Sequence, residues 1–150
     1  MNLLSTDDTF EEQNFASGDV LVFEGKATDF VYLIRRGKVA TFTMSSDRIY
    51  PISLIDGDGL LGEDCTFTGA PSNYSAVVLE NTTAVKIPVE TVQNFIKESP
   101  AWVGNLVGEI SGRLMKTIDI IGEHKILDDK LFGGVSLTEQ EEKMLRKSIT

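Results

Sequence analysis

The sequence predicts a mainly-β chain, with short antiparallel strands closing into a roll, barrel or sandwich and helices after them. Three observations carry that expectation. From residue 15 to residue 88 the text is rich in β-branched and aromatic residues, broken by turn residues roughly every eight to twelve positions. After Pro88 that texture stops. From Val103 to Ile121 the apolar residues return at spacings of 3, 4, 4, 4 and 3, the period of a helix.

The elements follow in order. "DVLVFEG" and "DFVYLIRRGKVATFTM" read as strands punctuated by Gly18, Gly25 and Gly37. "RIYPISLIDGDG" and "YSAVVLENTTAVKIP" continue the pattern, with turn signals at Asp56–Gly59 and at Asn81. "VETVQNFIKES" predicts a short helix, and Pro100 ends it or starts the next. The long helix carries Val103, Leu106, Ile110, Leu114, Ile118 and Ile121 in one stripe. That stripe has two readings: packing on its own roll, or pairing with a second copy as a coiled-coil-like seam. Gly104, Gly108, Gly112 and Gly122 weaken the helix by roughly 1 kcal/mol each relative to Ala, yet Gly108 and Gly112 would let two helices approach. "LFGGVSLTEQEEKMLRKSIT" breaks at Gly133–Gly134 and restarts as a helix. Its cap is Ser136 or Thr138, answered three residues on by Glu139 or Glu141. The chain thus divides into residues 1–122, a domain with its long helix, and residues 123–150, a short helical extension that could link to a further segment.

Composition excludes several functions. At 150 residues, 41% hydrophobic and 25% charged, the chain can bury a real core. A net charge of −9 disfavours a nucleic-acid surface, which needs clustered Lys and Arg. "TEQEEKMLRKS" is no basic recognition helix. No run of eighteen apolar residues predicts a membrane span, and no leader is visible. With one cysteine, Cys65, the expectation is a reducing, cytoplasmic setting. Cys65 and the lone His124 stand in different segments without a partner motif, which supports neither a zinc site nor a Cys-His nucleophile. "DGDGLLGED" has Phe67 where a calcium loop needs its closing Glu. No nucleophile elbow, phosphate-binding loop or paired-carboxylate signature occurs, so no enzyme and no cofactor are expected.

"LLGEDCTFTGAPSNYSAV" is the stretch with the most chemistry in it. Gly62 and Glu63 stand where backbone amides and a carboxylate could hold an anion and a sugar hydroxyl. The loop after them offers Ser72, Asn73, Tyr74 and Ser75, but no basic residue occurs between Arg48 and Lys86. With "F-x-x-G-D-V-L-V-F-E-G" from Phe15, "F-V-Y-L-I-R-R-G-K-V" through Gly37, "L-G-E" at Leu61–Glu63, "G-A-P" at Gly69–Pro71, "L-E-N-T-T-A-V-K-I-P" ending at Pro88 and "I-S-G-R-L" at Ile110–Leu114, six pieces stand in register. Together they resemble the cyclic-nucleotide-binding domains of the catabolite-activator and kinase-regulatory-subunit type, over about Phe15 to Gly122.

That resemblance implies an antiparallel, jelly-roll-like β-roll of about eight strands, flanked by helices at its N- and C-terminal ends. It implies a non-catalytic regulatory module whose ligand is cAMP, cGMP or a related nucleotide. In the family's pattern Gly62 permits close backbone approach, Glu63 holds the ribose, and amides near Asp64 and Cys65 face the phosphate. An Arg follows the Pro of the loop, where this chain has Ser72, and a small hydroxyl residue comes next, where it has Asn73. Tyr74 replaces a small residue, and Asp64 adds a negative charge beside Glu63. Losing the Arg removes a charge-assisted contact, among the strongest hydrogen bonds proteins make. Two function classes follow: a sensor that binds a nucleotide weakly or atypically and signals through its C-terminal helices, and a ligand-free scaffold that recruits a protein. The family's habit of pairing its long helix implies a homodimer through Leu106, Ile110, Leu114, Ile118 and Ile121.

Overall fold

The computed structural model describes residues 10–63, 69–124 and 138–149, with the side chains of 121–124 set aside. Six strands among these residues form one antiparallel sheet: β1 (Glu12–Phe15), β2 (Val20–Val22), β3 (Phe30–Ser45), β4 (Arg48–Asp56), β5 (Gly59–Leu61) and β6 (Ser75–Pro88). The order is β1-β6-β3-β4, with β2 added to β6 and β5 to β3. This is the β-roll that the family resemblance implies. The described residues begin at Phe10, so the helix expected at the N-terminal end lies outside what they show.

Two long strands replace several expected short ones. β3 runs 16 residues and β6 runs 14. Gly37 and Asn81, read as breaks, instead bend continuous strands: the β3–β6 register shifts between Ile34 and Val39. Gly37 has φ +118, and a Cβ there would stand 2.6 Å from the Thr82 Cα, so only glycine lets the two strands cross so closely.

Because neighbours on a strand face opposite ways, β3 and β6 feed two cores. Ile34, Val39, Val78 and Ala84 join one; Ala40, Phe42, Val77 and Leu79 join the other. The sheet is therefore apolar on both faces and needs a cover on each.

The helices supply those covers. α1 (Val89–Lys97) follows Pro88 directly. α2 (Ala101–His124) begins just after Pro100, whose carbonyl accepts from the Val103 N–H at 3.0 Å. α2 lends Ile118 to the first core. α3 (Glu139–Ile149) lends Leu145, fully buried, to the second. The Thr138 Oγ1 accepts from the Glu141 N–H at 3.1 Å, and Glu141 Oε1 accepts from the Thr138 N–H at 3.0 Å. This reciprocal pair is one of the caps that the sequence offers. Lys38 of β3 meets Glu141 at 3.4 Å, and Arg146 donates to the Asp47 carbonyl at 2.7 Å.

The stripe on α2 divides. Ile118 is 3% exposed, while Leu106, Ile110 and Leu114 are 51%, 58% and 37% exposed. Packing on the roll thus accounts for Ile118 and for Ser111, also buried, but not for Leu106 and Ile110. Ile121 lies where side chains are not described.

Candidate functional site

β5 delivers Gly62 by pairing Leu61 with Tyr32 of β3. Gly62 then turns with φ +85, and a Cβ on it would stand 2.7 Å from the Phe30 carbonyl oxygen. The close approach that requires glycine is thus to the chain's own β3. The Gly62 N–H donates to the Tyr74 hydroxyl at 3.0 Å. Tyr74 is 4% exposed and packs in the first core with Leu61 and Ile118. The Tyr74 hydroxyl, which the sequence offers as one of the loop's polar groups, accepts from an amide of the expected cradle, and its ring packs in the first core.

Ser72, at the place where the family's pattern has an Arg, is 2% exposed. Its N–H donates to the Lys26 carbonyl at 3.0 Å and its carbonyl accepts from the Gly25 N–H at 2.7 Å. Its hydroxyl donates to the Tyr74 carbonyl at 2.8 Å. The Ser75 hydroxyl accepts from the Glu24 N–H at 3.1 Å. Glu24 in turn accepts from the Met44 N–H at 3.2 Å and from the Thr43 hydroxyl. The loop at residues 23–26 is therefore tied to Ser72 and Ser75 and, through the Glu24 carboxylate, to β3. The sequence shows Glu24 and Gly25 as part of a motif but gives no sign of their partners across the roll.

Asn73 faces α2. Its side-chain amide donates to the Met115 carbonyl at 2.8 Å and to Asp119 Oδ1 at 2.9 Å. Nothing in the sequence links residue 73 to Met115 and Asp119, more than forty residues on. Asp64 and Cys65 lie outside the described residues.

Between β4, β5 and α2 lies a cavity of about 80 Å³. Its walls are mainly aliphatic, among them Ile55, Leu61 and Ile118, with Thr41, Ser53, Glu63 and Tyr74 as polar members. Drug-sized and cofactor pockets run to about 300–1,000 Å³, so this one is far smaller than a nucleotide's. Among the described residues no Lys, Arg or His borders it. No group of His, Cys, Asp and Glu among them could hold a metal ion, and no helix there is long and apolar enough to cross a membrane.

Comparison with known proteins locates this arrangement. The family model described as "Cyclic nucleotide-binding domain" matches residues 12–99. No curated protein matches the chain. Among solved structures, the chain is similar to the EAL enzyme Bd1971 in its cGMP-bound form, at 17% identity and a TM-score of 0.66 over 73% of this chain and 29% of that one. The cAMP-bound form of that enzyme aligns at 18% identity and a TM-score of 0.67, over 77% of this chain and 30% of that one. The Thermus thermophilus catabolite activator protein aligns at 22% identity and a TM-score of 0.60, over 77% of this chain and 55% of that one. The chain spans about three-tenths of the EAL enzyme's length, and that match covers only the nucleotide-binding part.

Proposed function

The chain belongs to the cyclic nucleotide-binding domain family, a regulatory family, and from that membership we propose that it is a non-catalytic regulatory module whose nucleotide site is occupied by its own Tyr74. The observation that carries this is the Tyr74 hydroxyl on the Gly62 amide. A cyclic mononucleotide that takes the Gly62 amide has to displace that hydroxyl. It also finds Ser72 where the family's pattern has a cation, and Ser72 is already bonded to the main chain. Hydrogen bonds to charged groups contribute about 1.5–3 kcal/mol net, so losing one weakens affinity by roughly 10- to 150-fold. The module accordingly binds cAMP or cGMP weakly, and whatever it signals passes through the helices after Pro88, since the sheet has little freedom to rearrange.

Calorimetry with cAMP and cGMP tests this reading. Tyr74→Ala, combined with Ser72→Arg, is expected to tighten binding at least tenfold over wild type. A wild type that binds at low micromolar Kd, unchanged by either substitution, overturns it.

A second reading concerns assembly. Trp102, Leu106 and Ile110 are 65%, 51% and 58% exposed along α2, a costly face to leave in water. We infer that this stripe pairs two copies, with a protein partner as the alternative occupant.

A further inference from the structure

We propose that Asn73 is a built-in latch that holds α2 against the roll, so that the helix keeps its engaged position with no ligand in the site. The proposal deepens the self-occupied reading of the site given above and rests on it. Its geometry is independent of Tyr74.

α2 is 24 residues long, yet Ile118 is its one large apolar side chain deeply buried among the described residues. Ile118 holds this turn of the helix to the first core. The Asn73 amide adds a second point. It bridges the Met115 carbonyl at 2.8 Å and the Asp119 carboxylate at 2.9 Å, one helical turn apart. Both partners are acceptors, so the amide is held with its nitrogen toward the helix; the reverse orientation sets an oxygen against two oxygens. One bond goes to a charged group, the stronger kind. The Asn73 Oδ1 is buried without a hydrogen-bond partner among the described residues, a cost accepted in favour of the two bonds to α2.

Its placement gives the latch regulatory meaning. Asn73 lies between Ser72 and Tyr74, both buried, and Tyr74 borders the cavity, so the loop that lines it is also the loop that grips the helix. Tyr74 takes the place of ligand in the pocket, and Asn73 takes the place of ligand-driven closure at the helix.

Amide hydrogen exchange on the ligand-free protein tests the latch. Asn73→Ala is expected to lower protection across residues 111–120 by about 5- to 30-fold, the effect of losing one or two net hydrogen bonds. Asn73→Asp, which faces the Asp119 carboxylate with another, is expected to lower it further. In both, the β3 and β6 amides keep wild-type protection. Asp119→Ala, on the exposed side of the helix, is expected to give part of the loss without disturbing the loop. Tyr74→Phe is expected to leave α2 protection unchanged, which separates the latch from the occupied pocket. Protection of α2 within twofold of wild type in both Asn73 variants overturns the proposal. So does an equal loss across sheet and helix.

Discussion

Gly62 shows how one residue can carry two accounts. As part of a cradle it would serve a ligand. In the fold its φ of +85 and the Phe30 carbonyl 2.7 Å from its would-be Cβ make it a requirement of the β5 turn. Gly62→Ala is therefore expected to destabilise the protein by roughly 2–4 kcal/mol in urea unfolding, from left-handed strain and overpacking together. An unchanged midpoint would mean that the turn relaxes and the glycine is kept for a ligand. Ser72, Asn73 and Tyr74 make the same point from the other side. Each offers a polar group that a ligand could use, and each spends it on the chain's own loop, helix or turn.

At the scale of elements, α3 is the cover of the second core. Leu145 is fully buried against Phe42, Ile49 and Leu79. Leu145→Ala is expected to cost about 2–5 kcal/mol of global stability by urea unfolding; a helix merely resting on the sheet would show almost no loss. Glu141 adds pH dependence. Partial burial works to raise its pKa, but the Thr138 N–H, the Lys38 charge and the Thr138 hydroxyl outweigh it, so the carboxyl sits below its ordinary value. A carboxylate whose pKa is depressed by folding stabilises at neutral pH and loses that contribution as pH falls through its ordinary range, about 4.3, toward the folded value. Nuclear magnetic resonance signals of residues 139–149 are expected to loosen on acidification in wild type. In Glu141→Gln they are expected to show no such carboxylate-linked step. Identical titrations in the two proteins would remove Glu141 from the account.

At the scale of the whole molecule, the exposed stripe on α2 bears on assembly. If the stripe pairs two copies, Ile110→Glu with Leu114→Glu is expected to turn a dimer into a folded monomer by light scattering. The glycines sharpen the test. A Cβ at Gly108 or Gly112 meets nothing within 4 Å in the single chain, so alanine there should stabilise a monomer by about 1 kcal/mol each. If the helices pair closely at these positions, the same substitutions weaken the dimer. A wild type that stays monomeric at high micromolar concentration refutes pairing.

The sequence by itself determined an antiparallel mainly-β region before Pro88, the short and long helices after it and the capped helix at residues 138–149; the choice of a roll came from the family resemblance. Each rests on local periodicity and turn or cap chemistry, which neighbouring residues suffice to encode. It also marked residues 60–75 as the stretch with chemistry in it. What it could not show is direction. Whether Tyr74 points at a ligand or at Gly62, and whether Asn73 faces solvent or α2, depends on elements brought together from 12 and 42 residues away. The tertiary structure alone decided those contacts, because a polar group enclosed by packing bonds whatever acceptor or donor the fold sets beside it.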